Sequence, residues 1–362
     1  MARNKILTFS DIHFGINLNS VLKLEIAAKT IDFIIEQQKS TGANICIFNG
    51  DWFNDRKTVN SLVCNSSYQK LKELCEVFDH TYLIVGNHDS YYQDVIDVNS
   101  LNVFENLDKC TIVTDITEIT LDGCRMCLCP WGKEFDIFNS NTKYDALFGH
   151  FGPNGARLTS GLSKDGKYDI NKLTSVAPIV FSGHFHIKSE YETNNGTLIM
   201  VGSPMQQNWG DVDSERGCYI FEPATREYSF IENTKAPKHK KFLYSTISTT
   251  KKLPRKSDIE NNYIRLVVDT EYEHDIVQKI LSMFWKAKPI DCDTEYFFNN
   301  NIKLNFNNSD IDDTKNRTHE DYLIDFIKNA EGIPENLDRD KLQKLVLSVY
   351  KNALTVSKEI EE

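Results

Sequence analysis

Pro178-Ile179-Val180-Phe181-Ser182-Gly183-His184-Phe185-His186-Ile187 is the stretch on which the fold turns. A short apolar run meets a glycine and then two histidines, His184 and His186, two positions apart. In an extended segment residues i and i+2 point to the same side, so both imidazoles can face one site. Neutral imidazole is the commonest nitrogen ligand for transition metals. Gly183 is expected to let the backbone turn sharply before the pair. Ordinary surface strands also carry His-x-His, so the surrounding chain has to decide the reading.

Upstream, the same construction recurs. Lys5–Ser10 reads as a buried strand and runs into Asp11-Ile12-His13, a carboxylate and an imidazole at i and i+2. Ile45–Phe48 ends in Asn49-Gly50-Asp51, Thr81–Val85 in Gly86-Asn87-His88-Asp89, and Ala146–Phe148 in Gly149-His150-Phe151-Gly152. Between the first strands, Leu24, Ala27, Ala28, Ile31, Ile34 and Ile35 keep helical spacing over Val21–Lys39. Thr41-Gly42 stops that helix, and a second helical pattern runs from Val59 to Phe78. Strand, helix, strand, helix, strand with a polar cluster at each strand's carboxyl end is an α/β arrangement, in which sites collect at those ends. A single Asp after a strand is a turn or a cap; a series in register is a site.

Further strands are expected at Thr111–Val113, Ile116–Leu121 and Arg125–Cys129, with a tight turn at Asp122-Gly123, and residues 90–110 read as helix and loop. Thr197–Val201, Gly217–Phe221 and Glu227–Phe230 complete a strand-rich second half. Together with the helical first half this predicts an α/β (α+β) chain: two sheets packed as a sandwich with helices outside.

The 362 residues suffice for one large domain and a small one. Hydrophobic residues make up 40% and charged residues 26%, ordinary for a globular protein. No apolar run reaches membrane-spanning length, and the N-terminus lacks a signal-peptide core. Nine cysteines, an odd number spread along the chain, favour a reducing, cytoplasmic setting over a disulfide framework. Cys124-x-x-Cys127-x-Cys129 has no second pair and sits in a strand pattern, so packing is expected there rather than metal. A net charge of −11 excludes nonspecific attraction of nucleic acid by the whole surface, although bound cations would supply positive potential locally.

Composition shifts after residue 232. Lys235, Lys238, Lys240, Lys241, Lys251, Lys252, Arg255 and Lys256 crowd a segment broken by Pro237 and Pro254, which reads as a solvated linker or a phosphate-contacting strip. Tyr263–Val268 alternates like a strand and Asp275–Trp285 like a helix, while Asn299–Asn316 reads as a loop. Thr318-x-x-Asp321 opens a tail helix holding Tyr322, Leu323, Phe326 and Ile327, stopped near Gly332-Ile333-Pro334. A second tail helix carries Leu342 to Leu354. The expected units are 1–232, a core; 233–258, a basic linker; 259–310, a small α+β module; and 311–362, a helical pair.

Collected in order, Asp11, His13, Asp51, Asn87, His88, His150, His184 and His186 mark the strand ends, and Asp51 is the only carboxylate of its cluster. Asp-x-His, Gly-Asp, Gly-Asn-His-Asp, Gly-His and Gly-His-x-His in this order resemble the calcineurin-like metallophosphoesterases. Trp52-Phe53, Pro130-Trp131, Ser182–His186 and Gly202-Ser203-Pro204 resemble the Mre11/SbcD nucleases within that superfamily. Asp55-Arg56-Lys57, Trp209-Gly210-Asp211 and Glu215-Arg216-Gly217 resemble the phage branch, the recombination endonuclease subunits of T4-like phages. The strong resemblance covers roughly residues 5–232.

The resemblance implies a metallophosphoesterase sandwich with a capping module, acting as a two-metal DNA exo/endonuclease in end processing, recombination and repair. Asp11, His13, Asp51 and His186 would hold one Mn2+, with Mg2+ as an alternative, and Asp51, Asn87, His150 and His184 the other. His88 would protonate the leaving oxygen or stabilise charge on the phosphate, and Asp89 would orient His88 through its other nitrogen. The cations would lower the pKa of attacking water. Asn54 stands where cellular members carry a further histidine. The family also implies a homodimer through Val59–Phe78 and the 90–106 segment. Its C-terminal helices, 318–356, would dock on a Rad50/SbcC-like ATPase. A nucleotide phosphodiesterase or phosphoprotein phosphatase of the same superfamily, or a scaffold that has lost catalysis, are the competing readings.

Overall fold

The computed structural model describes residues 3–92, 95–158, 161–164, 166–297, 324, 327–328 and 338–361. Two six-stranded sheets stack face to face, with helices on their outer surfaces. The first holds β1 (Ile6–Phe9), β2 (Ile45–Phe48), β3 (His80–Ile84) and β4 (Cys110–Val113) in parallel. The second centres on β6 (Cys124–Cys129), β7 (Ala146–His150), β10 (Ile179–Gly183) and β12 (Gly196–Met200), also parallel. Antiparallel β5 (Thr117–Leu121) and β11 (Ser189–Thr193) form its edges. A hairpin of β13 (Gly217–Glu222) and β14 (Glu227–Glu232) pairs antiparallel to β1 and closes the first sheet. A two-stranded ribbon, β8 (Arg157–Leu158) and β9 (Gly161–Leu162), projects from the second.

Side-chain parity builds the layers. Successive strand residues point to opposite faces, so Ile45 and Ile47 enter the core between the sheets while Cys46 and Phe48 lie under the helices. Met126, Leu128, Phe148 and Phe181 meet them from the second sheet. Cys127, Cys129, Leu147 and Val180 pack on that sheet's outer side. Being buried on both faces makes these strands continuous apolar runs. Cys124, Cys127 and Cys129 are therefore packing residues, and every cysteine is a free thiol. Helix α1 (Val21–Thr41) starts at Ser20, whose hydroxyl accepts from Lys23 N–H, and stops at left-handed Gly42. Helix α2 (Ser61–Val77) is capped by Asn60 and packs against α1. Among the described residues of segment 90–110, expected as helix and loop, the helical part is a 3-10 turn, Ser100–Phe104, anchored by buried Phe104 stacked on Phe53.

Segment 233–258 is not a linker. His239–Leu243 is a strand, β15, pairing in parallel with β16 (Tyr263–Val268), which pairs in turn with β17 (Asp291–Tyr296). Helix α3 (His274–Lys286) crosses between the last two and buries Val277, Ile280 and Phe284 on Ile264, Leu266 and Val268. The basic strip hides a strand because consecutive Lys240 and Lys241 break its apolar alternation, while acids answer its lysines: Lys235 by Glu36, Lys238 by Glu232, Lys240 by Asp258 and Lys241 by Glu295. The loop at Asn299–Asn316 and most of the first tail helix lie outside the described residues. The second tail helix is α4 (Arg339–Glu361), with Leu345 and Val349 exposed. Among the described residues no helix is long and apolar enough to cross a membrane.

Candidate metal centre

The polar residues singled out in the sequence converge at the carboxyl ends of β1, β2, β3, β7 and β10, where the two sheets meet. Just past β1 and β2 the loops zip together: Asp11 N–H donates to the Gly50 carbonyl, His13 N–H to the Asp51 carbonyl and Phe14 N–H to the Trp52 carbonyl. Asp11, His13, Asp51 and His184 all sit in left-handed backbone, at φ 55°, 51°, 63° and 89°. Non-glycine residues held there cost on the order of 1–3 kcal/mol each, and such strain gathers at functional sites. Gly183 is not the turn the sequence suggested. It lies opposite His150 in the sheet, and a Cβ there would strike Ser10 Oγ and the Asn49 carbonyl. Gly86 is required for the same reason, since a side chain would enter Asp51.

The ligand atoms form two groups that share Asp51. In one, His13 Nε2 lies 3.0 Å from His186 Nε2 and 3.8 Å from Asp11 Oδ1, and His186 Nε2 lies 3.9 Å from the same oxygen. In the other, His150 Nε2 is 2.8 Å from Asn87 Oδ1, and His184 Nδ1 is 2.9 Å from that oxygen. Asp51 Oδ2 stands between them, 3.7 Å from His13 Nε2 and 3.3 Å from His150 Nε2. Asp11, His13 and His186 form one metal-competent cluster, and Asp51, His150 and His184 another. His88 also lies within reach of His13 and Asp51, with its ring edge-on to His13 at 4.9 Å.

Hydrogen bonds settle which nitrogen His150 and His88 offer. The Asn49 carbonyl can only accept, so His150 Nδ1 donates to it at 2.7 Å and Nε2 faces the site. His88 Nδ1 likewise donates to the Asn54 carbonyl at 2.7 Å, leaving Nε2 for a substrate. This corrects the role expected of Asp89. Its carboxylate accepts four backbone N–H groups instead, from Gly86, Asp51, Trp52 and Phe53, at 2.9–3.1 Å. Asp89 clamps the β2 and β3 loops together, and the main chain of Asn54 orients His88.

Burial alone would raise Asp11 and Asp51. The imidazoles outweigh it, His13 and His186 for Asp11 and His150 and His13 for Asp51, and hold both carboxyls below the usual range. Burial pushes His150 down, but Asp51 carries it up to about 9; His184, buried and beside His150, falls to about 4. Asp89 is pushed up to about 6 by burial and then by Asp51, against the donated N–H groups of Gly86 and Phe53.

The donor set fits divalent cations. Adjacent ligands around a cation at about 2.1 Å are separated by about 3.0 Å, the spacing seen between His13 and His186 and around Asn87. Buried carboxylate, amide and imidazole groups at this density are otherwise costly, and mixed O/N ligation suits first-row metals. Sequence reasoning missed the support behind the ligands: Asn49, whose amide donates to Thr8 Oγ1 at 2.6 Å; Gln207, which donates to the Asp11 carbonyl; and Arg216, which donates to the His186 carbonyl. Asn49 stands in the strand-end cluster after β2 but only as a neighbour of Asp51, and Gln207 and Arg216 follow no strand in that pattern.

The calcineurin-like phosphoesterase family matches residues 4–188, more than half the chain, and the chain belongs to it. Exonuclease subunit 1 of Enterobacteria phage T4 is 28% identical over 236 residues, which span 63% of this chain and 68% of that protein. Among solved structures, an archaeal phosphodiesterase is similar at a TM-score of 0.35 and 15% identity, over 63% of this chain and 99% of its own. GAP50, the anchor in the inner membrane complex of Plasmodium, is similar at 0.45 and 14%, over 65% and 86%. At these scores the two structures add nothing to the assignment.

Proposed function

We propose that this calcineurin-like phosphoesterase is a two-cation DNA nuclease subunit that hydrolyses phosphodiester bonds. The observation that carries the reading is Asp51 Oδ2 standing between two clusters of buried ligands at the strand ends. Asp11, His13, Asp51 and His186 would hold one cation, and Asp51, Asn87, His150 and His184 the other, with Mn2+ the preferred metal. Bound there, a cation pair would supply charge stabilisation for a phosphoryl displacement and a water of lowered pKa. The chain's own part is to hold the ligands and to present His88. With Nδ1–H donating to the Asn54 carbonyl, His88 in its imidazolium form would carry a second proton on Nε2 to give to the leaving oxygen, and would be left as the neutral Nδ1–H imidazole.

Similarity to a phage exonuclease subunit supports DNA as substrate and a partner subunit. A Rad50-like ATPase on α4, through exposed Leu345 and Val349, fits the acidic net charge, because the partner would supply the grip on phosphate. Exposed Val59, Leu62 and Tyr68 on and beside α2, with Tyr91, Tyr92, Val98 and Val103, form the face through which two copies would pair. The complex would act in DNA end processing, recombination and repair. Free thiols throughout suit a reducing compartment such as the cytoplasm.

The test is cleavage of end-labelled duplex DNA by the purified chain with Mn2+, beside Asp51→Asn and a generic phosphate monoester. Degradation of DNA by the wild type alone is expected. Hydrolysis of the monoester with DNA left intact would instead make the protein a small-substrate phosphoesterase.

A further inference from the structure

The segment from Ser203 to Arg216, between β12 and β13, runs behind only one of the two clusters. Arg216 is 4% exposed, and its Nη2 pairs with Asp211 Oδ1 at 2.8 Å, both side chains buried. Its Nη1 donates to Ser203 Oγ at 2.7 Å and to the carbonyl of His186. Gln207 Nε2 donates to the carbonyl of Asp11 at 2.8 Å, and Asp211 Oδ2 holds Gln207 in place by accepting its N–H at 2.7 Å. The brace thus fixes the main chain of Asp11, which is in left-handed backbone, and of His186. Among the described residues no hydrogen bond runs from it to Asp51, Asn87, His150 or His184.

The β15–β17 module docks on this same segment. His239 N–H donates to Gln206 Oε1 at 2.6 Å, and the His239 ring meets Trp209 edge-on at 5.0 Å. Arg265 lies 4.0 Å over the Trp209 ring. On the core side, Lys23 of α1 donates to the Gln207 carbonyl at 3.1 Å and covers the Tyr263 ring at 4.2 Å. A guanidinium fork in a buried pair tolerates little displacement, so a shift of the module would pass to Asp11 and His186.

We propose that Gln207 and the Asp211–Arg216 pair are positioning residues for the cation held by Asp11, His13 and His186, and that the β15–β17 module sets their geometry through Gln206 and Trp209. The module thereby acts chiefly on this cation, its reach to the neighbour being limited to the His184 N–H that the Asp11 carboxylate accepts at 3.2 Å. This rests on the two-cation reading of the site.

The test is titration of the full chain with Mn2+ by calorimetry, with electron paramagnetic resonance to tell a coupled pair from a lone ion. Gln207→Met, which removes one hydrogen bond and keeps the buried ion pair, guards against simple unfolding; Arg216→Lys keeps the charge without the fork. Each is expected to weaken one ion by about 10- to 100-fold, the usual effect of losing a partner behind a ligand. The lone-ion spectrum should match that of His186→Ala and not that of Asn87→Ala. Arg265→Ala, made on the module alone, should weaken the same ion. Equal weakening of both ions, or unchanged affinities with a lower Tm, overturns the brace, and no effect of Arg265→Ala overturns the role of the module. A wild-type chain that takes up no Mn2+ overturns the two-cation reading itself, whereas two ions held as tightly by Gln207→Met overturn only the brace.

Discussion

The two halves of the candidate metal centre are built from similar side chains, and one is held by an extra set of contacts. The Asp51–Asn87–His150–His184 half is fastened within the sandwich: His150 to the Asn49 carbonyl, and the β2 and β3 loops to each other by the Asp89 carboxylate. The Asp11–His13–His186 half shares that core fastening, through Asp11 N–H to the Gly50 carbonyl and His13 N–H to the Asp51 carbonyl, and is held in addition at the Asp11 and His186 carbonyls by a segment that a second module leans on. Both halves are thus fixed with the core fold, and one of them also feels how a neighbouring unit sits. Asp51 joins them, so the chemistry requires both.

The largest expected effect removes the joint itself. Asp51→Asn should abolish paired cation uptake and lower hydrolysis by on the order of 10^3-fold or more; retention of turnover would show the halves work separately. His88→Ala should slow turnover by about 10^2- to 10^4-fold while both cations bind as before. A fall in cation affinity in that variant would make His88 a ligand instead. Asp89→Ala strands four buried N–H groups and should cost roughly 2–5 kcal/mol in denaturant unfolding, with Asp89→Asn recovering part of it. An unfolding midpoint unmoved by Asp89→Ala would remove the clamp from the account.

A gentler probe compares protonation within the second half. His150 is held up to about 9 by Asp51, so at neutral pH it carries a proton that must leave before its nitrogen can ligate. His184, down at about 4, is already neutral there. Cation affinity should therefore strengthen as pH rises towards about 9, by at most tenfold per unit, with one proton released. Calorimetry in buffers of different ionisation enthalpy measures that release, and none at pH 7 would contradict the assignment.

The candidate ligands were legible because metal chemistry would impose such residue types at strand ends, and strands buried on both faces announce themselves as apolar runs. Asp11, His13, Asp51, Asn87, His150, His184 and His186 converge as their spacing suggested. The positions that failed were those where context decides. Asp89 follows His88 in sequence yet turns to backbone N–H groups, a choice made by how the β2 loop lies. β11 went unseen because its alternating Ser-Glu-Tyr-Glu-Thr pattern covers an edge exposed on one side. β15 was hidden by lysines whose acidic partners come from distant segments. Arg216 and Gln207 act through carbonyls far away in sequence, and although Arg216 stands in the Glu215-Arg216-Gly217 motif, nothing local shows what either side chain holds.

The most direct test of the shared-Asp51 centre is anomalous diffraction from crystals of the chain grown with Mn2+. Two peaks are predicted, one among Asp11, His13 and His186 and one among Asn87, His150 and His184, with the Asp51 carboxylate between them. A single peak, or peaks away from Asp51, would contradict it.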